Sequence, residues 1–181
     1  MSRILSVALS PPILLMVSKV YVPVLFPLTF LIALGALRLD EALGFADGFL
    51  PSPTNFGVAA ASLGLGLLVV GISYAELVVR GEGSPSPTAG RTIKLVRTGI
   101  YAYSRNPSVI GKLLGVLAVG FALNSLSFCF ILVPLLLVGS LVEKVWRQEP
   151  QLVAIFGEDY ERYRREVPLF LPWKLFLPGR K

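Results

Sequence analysis

Arg105, Asn106 and Pro107 close one polar stretch of the chain, residues 81–107, and Glu143, Lys144, Gln148 and Glu149 open another, residues 143–157. Such side chains attract anions, accept charge-assisted hydrogen bonds and offer amide donors and acceptors. Lys144, Arg147 and Gln148 lie three and four residues apart, which places them on one helical face. Lys144 attracts a carboxylate or phosphate as a point charge, without the bidentate fork of arginine. The chain contains no histidine, so the usual general base, the usual metal ligand and any Ser/His or Cys/His nucleophile pair are missing. Cys129, the single cysteine, lies in an apolar run. Neither a disulfide framework nor a cysteine-based metal site is expected, and no metal is.

The elements that must position these residues are membrane spans. Of 181 residues, 54% are hydrophobic and 15% charged, with a mean hydropathy of +0.72, far more apolar than a soluble domain of this size requires. The apolar residues come in long runs, and a span needs roughly 20 of them for about 30 Å of hydrocarbon. The expected fold is an all-α polytopic transmembrane bundle of four to five spans, one membrane domain over residues 1–181. Residues 1–79 supply the N-terminal spans. Residues 80–181 supply a ligand-binding loop, a helical hairpin and an amphipathic tail on the cytoplasmic side.

Residues 4–18 are short for a span and read as a tilted, proline-kinked first helix or a re-entrant segment. Pro11 and Pro12 interrupt them and no small-residue cleavage site follows, so a retained helix is expected rather than a signal peptide. Residues 20–37 form a cleaner span, and residues 39–55, with Asp40, Glu41 and Asp47, an acidic turn-rich loop. Residues 56–79 are the strongest span. Its Gly64, Gly66, Gly71 and alanines form a small-residue face expected to pack closely on a neighbour. From 80 to 107 five basic residues stand against Glu82 alone, which puts this loop in the cytoplasm. Residues 109–123 and 126–142, parted only by Asn124 and Ser125, form a tight hairpin.

Because the two polar stretches flank that hairpin, they meet at its cytoplasmic end and make a site. Irregular backbone at membrane depth is tolerated where it lines a cavity. A polar cofactor docks there from the cytosol and an apolar substrate arrives from the lipid. The net charge of +6 does not point to nucleic acid, since the basic residues sit in loops between spans and lack the scaffold of such binders. Membrane lipids are the expected partners. The small size and the lack of an organelle signal suit a prokaryotic inner membrane.

An ordered set of short pieces adds specificity: Gly-Glu-Gly-Ser-Pro-Ser-Pro at 81–87, Lys94 through Tyr101, Arg105-Asn106-Pro107 with Gly111, then Glu149 through Leu152, Phe156-Gly157, Tyr160, Tyr163 and Val167-Pro168. With the hairpin between them, they make the C-terminal half resemble the isoprenylcysteine carboxyl methyltransferase and phospholipid methyltransferase family. The resemblance implies an S-adenosylmethionine-dependent enzyme that methylates a lipophilic or prenylated acceptor. It carries cofactor contacts onto Ile93, Lys94, Leu95, Val96, Tyr101, Asn106, Pro107, Ser108 and Val109, and the family's paired acids onto Gln148 and Glu149. Substrate orientation falls to Lys144, where the family has arginine, and to Arg105. Asn106 stands where many members have histidine, Val109 replaces a tyrosine, and Gln148 replaces the first acid.

Such chemistry needs no histidine. Displacement on a sulfonium-activated methyl group is accelerated by alignment and exclusion of water. A carboxylate acceptor needs no base, whereas an amine must lose a proton, for which Glu149, Glu143 and Tyr101 are candidates. Plainer readings stand beside these. Arg91, Arg97, Arg162, Arg164 and Arg165 read as membrane-surface anchors, Tyr103 and Trp173 as interfacial aromatics, and Glu76 as the partner of Lys112 across the bundle. Two other functions fit the pattern: an NADPH-dependent reductase of the sterol reductase kind, and a non-catalytic membrane scaffold.

Overall fold

A computed structural model describes residues 26–81 and 94–170. The expected helix at 4–18, Arg91, Ile93 and Trp173 lie outside the described residues. All regular elements among the described residues are helical, with no strand: α1 (Phe26–Leu43), α2 (Thr54–Arg80), a 3-10 turn (Gly99–Ala102), α3 (Pro107–Ala122), α4 (Phe128–Phe156) and α5 (Glu158–Glu166).

Helices α2 and α4, 27 and 29 residues long, are long and apolar enough to cross a membrane, each rising about 40 Å at 1.5 Å per residue. Their outer faces carry large apolar side chains left exposed among the described residues; Leu67 and Phe130 are each 65% exposed. An apolar surface of this extent is unfavourable in water and natural in lipid.

α2 and α3 are antiparallel neighbours. Ala59, Gly66 and Ser73 recur every seven residues on the buried face of α2. At Gly66 the approach is so close that a Cβ would lie 2.7 Å from the Gly111 carbonyl oxygen, and the converse holds at Gly111. Any side chain at either position would push the helices apart. The Ser62 hydroxyl donates to the Leu114 carbonyl at 2.8 Å. The Asn55 amide reaches the carbonyls of Phe121 and Ala122, both at 3.4 Å, and so pins the start of α2 to the end of α3. The end of α2 and the start of α3 therefore share the opposite end of the bundle.

The turn between α3 and α4 is tied to the segment after α1. Asn124, at φ 53°, accepts from the backbone N–H of Phe49 and Leu50 at 3.2 and 3.0 Å and donates to the Leu50 carbonyl at 2.8 Å. Asp40 accepts from the Ser127 backbone N–H at 2.8 Å and from the Ser125 hydroxyl. This explains why α1 continues through Arg38 and Asp40 to Leu43 instead of yielding to a loop at residue 39. Asp40 is held as a buried cap on the hairpin, not as a solvated loop acid.

α4 likewise outruns its expected end at residue 142 and passes through Pro150 to Phe156. It does so with a π-helical segment, Lys144–Gln148, directly before Glu149 and Pro150. The wider turn lets the helix absorb a proline that donates no hydrogen bond. Gly157, at φ 54° and ψ −130°, breaks the helix and starts α5. The Tyr160 and Tyr163 face of α5 packs on Leu95, Leu152, Val153 and Phe156, with only 2% and 3% of the two tyrosines exposed. Its apolar stripe is thus covered by protein and not by the membrane surface, the sequence pattern being the same for either partner.

Candidate active site

At the end of the bundle where α2 finishes and α3 begins, the helices enclose a cavity of about 90 Å³, open on one side. Lys94, Leu95, Val96, Tyr101, Arg105 and Asn106 form one wall, and Lys144, Gln148, Glu149, Leu152 and Phe156 of α4 form another. Leu77 of α2 and Tyr160 and Tyr163 of α5 complete it. Its lining is of the kind small-molecule sites have, apolar with a few convergent polar groups.

The polar centre is the ion pair of Arg105 Nη1 with Glu149 Oε1, both side chains more than nine-tenths buried. Arg164 Nη1 lies 3.8 Å from the other Glu149 oxygen, and the same Arg105 nitrogen is 3.5 Å from the Tyr160 hydroxyl. Arg105 Nε is buried without a hydrogen-bond partner among the described residues, so a donor remains for a ligand acceptor. The backbone beside it is fixed: the Arg105 N–H donates to the Pro168 carbonyl at 2.9 Å, and the Asn106 amide nitrogen to the Leu169 carbonyl at 3.2 Å.

Three tyrosines close the wall under α5. The Tyr163 hydroxyl donates to the Tyr101 carbonyl at 2.7 Å, and the Tyr101 hydroxyl lies 3.4 Å from the Ser73 carbonyl, so α5, the 3-10 turn and α2 are linked in series. Burial is the main reason that all three phenols titrate above their ordinary value, reinforced at Tyr101 by Tyr74 and Glu76 and at Tyr160 by Glu149. They stay neutral donors at neutral pH.

The π-helical segment sets the opposite wall. Lys144 Nζ lies 3.3 Å from a Glu143 carboxylate oxygen, and Gln148 Nε2 donates to the same carboxylate. Arg147, expected beside Lys144 and Gln148, is exposed and does not line the cavity. Under π geometry the neighbours of Glu143 and Lys144 are Gln148 and Glu149, which turns Arg147 outward.

Residues 54–159 match the model of the phospholipid methyltransferase family. The chain belongs to this family. It is 32% identical over 113 residues to the protein-S-isoprenylcysteine O-methyltransferase of Schizosaccharomyces pombe, an alignment covering 60% of this chain and 48% of that protein. It is 30% identical over 122 residues to the Xenopus laevis protein of the same name, covering 64% of this chain and 36% of the relative. The chain thus spans about half the length or less of these curated relatives. No solved structure matches it.

Of the residues that the family pattern singles out, Lys94, Leu95, Val96, Tyr101, Arg105, Asn106, Lys144, Gln148 and Glu149 come together on the one cavity. Pro107, Ser108 and Val109 do not line it. Pro107 is fully buried at the start of α3, and Val109 packs in the core with Ala36, Leu113, Phe128 and Val133. A valine there fills apolar space and asks for no hydroxyl partner. Leu77 was hidden in the sequence because an apolar residue within a span carries no sign of which void it faces. Glu76 pairs with Arg80 at 3.0 Å rather than with Lys112, whose ammonium stands 5.9 Å over the Tyr74 ring. Arg164 pairs with Glu149 and Glu161, and Arg97 stands 3.8 Å from Asp159. These cations are therefore engaged within the protein.

Proposed function

We propose that the chain is a membrane-embedded methyltransferase that uses S-adenosylmethionine to methylate a lipophilic acceptor, a prenylcysteine carboxylate or a lipid headgroup. The observation that carries this reading is the meeting of Arg105-Asn106 and Gln148-Glu149 on one cavity, with the buried pair joining them across 44 residues of chain. Both relatives are named for methylating isoprenylcysteine, which favours a prenylated acceptor.

The lining suits a ligand that is part apolar and part zwitterionic. Leu95, Val96, Tyr101, Leu152 and Phe156 offer apolar and aromatic contact, while Asn106, Gln148, Glu149 and the free Arg105 Nε offer polar contact. In this reading Lys94, Leu95, Val96, Tyr101, Asn106, Gln148 and Glu149 hold the cofactor, helped by Ile93, while Pro107 and Val109 fix the start of α3 beside them. The bound cofactor supplies a methyl group already activated on a sulfonium. Lys144 and Arg105 orient the anionic end of the acceptor by charge. The tyrosine wall and Phe156 keep water from the reacting centre. With a carboxylate acceptor no residue has to remove a proton, which suits a chain without histidine.

The same reading treats residues 1–181 as one membrane domain of four to five spans. The basic residues of 80–107 support a cytosolic position for the cavity. The cofactor enters from the cytosol, and the acceptor enters sideways from the bilayer. The test is calorimetric titration of the purified protein with S-adenosylhomocysteine and with NADPH. Binding of the first alone supports methyl transfer, binding of NADPH alone would favour a reductase, and binding of neither a scaffold.

A further inference from the structure

Gln148 Nε2 stands 3.1 and 3.2 Å from the two carboxylate oxygens of Glu143, five residues earlier. On a regular α-helix residues five apart point about 140° away from each other. The π-helical segment Lys144–Gln148 brings them side by side, since its backbone repeats at i to i+5. An ionised carboxylate accepts and cannot donate, and this determines which end of the Gln148 amide faces it. The amide is planar, so with its nitrogen held by Glu143 its oxygen points elsewhere, and Gln148 lines the cavity. Lys144, beside the same carboxylate at 3.3 Å, anchors Glu143 in turn.

We infer that Glu143, which does not itself line the cavity, is a positioning residue that holds the Gln148 carbonyl oxygen toward the ligand as a fixed, neutral acceptor for a hydroxyl or ammonium group. The ligand's identity rests on the methyltransferase reading; the contact between the two side chains does not. Most of the family's acidic pair is thereby retained in function: Glu149 supplies the charge and Gln148 supplies an oriented oxygen. A glutamate at 148 would bring a second carboxylate against Glu143, with Glu149 next to it, and Lys144 and Lys112 as the nearby cations. The polarity of the pair is therefore reversible, but two acids cannot share it, since neither would supply a donor.

The test compares wild type, Glu143→Gln, Gln148→Glu and the swapped double variant Glu143→Gln/Gln148→Glu. Each is followed by thermal unfolding without ligand and by calorimetric titration with S-adenosylhomocysteine. Gln148→Glu should melt lower than wild type, and the swap should recover the loss. Glu143→Gln should bind S-adenosylhomocysteine roughly five- to tenfold more weakly, the scale of one misdirected hydrogen bond to a polar ligand. The inference is overturned if Gln148→Glu melts with the swapped variant, or if Glu143→Gln binds as tightly as wild type. Should wild type bind no S-adenosylhomocysteine, the methyltransferase reading fails by itself. The unfolding arm then still decides: recovery in the swap upholds the Glu143 to Gln148 contact and its absence refutes it.

Discussion

Arg105 and Glu149 lie on opposite sides of the α3–α4 hairpin in sequence, and their side chains pair inside the cavity with 9% and 8% of each exposed. A charge buried to this degree is tolerable only because its partner is buried with it. The pair consequently joins two walls of the cavity as well as marking its polar centre.

Removing one member should cost more than removing both. Glu149→Ala leaves the Arg105 charge uncompensated, at a cost of about 3–5 kcal/mol. Arg105→Met/Glu149→Leu should lose less than the sum of the single changes. Arg164→Ala, whose side chain is 47% exposed, should lose about 1 kcal/mol or less. A double-mutant cycle of denaturant unfolding in detergent measures all of these.

Close packing of α2 on α3 makes Gly66 and Gly111 intolerant of any side chain. Gly111→Val should destabilise by about 1–3 kcal/mol or more through overpacking. Gly71→Ala on α2 meets open space and should be near neutral. Thermal unfolding of the two variants side by side decides the matter.

Much of this was readable from residue types. The hairpin break at Asn124 and Ser125, the small-residue face of α2, and the meeting of Arg105-Asn106 with Gln148-Glu149 all follow from local composition and from which ends of antiparallel helices coincide. What escaped depends on partners distant in sequence. Asp40 reads as a loop acid because its partners Ser125 and Ser127 come 85 and 87 residues later. The amphipathic tail does not show that protein covers the apolar stripe of α5, because amphipathicity does not tell lipid from protein. The run of α4 past residue 142 escaped because a π-helical segment leaves no mark in a single sequence.

The buried phenols give a sign to alkaline stability. Tyr101 and Tyr163 titrate above the ordinary tyrosine value near 10.0, chiefly because of burial. With the folded value raised, the folded chain holds these protons longer than the unfolded chain does. The stability present below pH 10 is therefore lost as pH climbs above it. Ultraviolet titration should show these two among the six tyrosines ionising late, near the unfolding transition. Tyr163→Phe should shallow the alkaline slope and lower neutral-pH stability by about 1–3 kcal/mol, since the Tyr101 carbonyl loses its donor.

Asn124 offers a control far from the cavity. Asn124→Ala orphans the Phe49 and Leu50 N–H groups and puts alanine at a positive φ, for a loss of about 2–4 kcal/mol. Once the variant is folded, S-adenosylhomocysteine affinity should match wild type, because the Asn124 turn and the cavity occupy opposite ends of the bundle. Calorimetry on the purified variant reads this out.

Methyl transfer itself is the most direct measurement. Protein in lipid nanodiscs would be incubated with methyl-labelled S-adenosylmethionine and either a prenylcysteine analogue or the nanodisc phospholipid. Label should pass into the organic phase with wild type, released by mild base where the product is a methyl ester, and fall at least tenfold with Glu149→Ala. Transfer unchanged by loss of Glu149 would contradict the assigned cavity, and no transfer to either acceptor class by a protein that also fails to bind S-adenosylhomocysteine would contradict the methyltransferase reading.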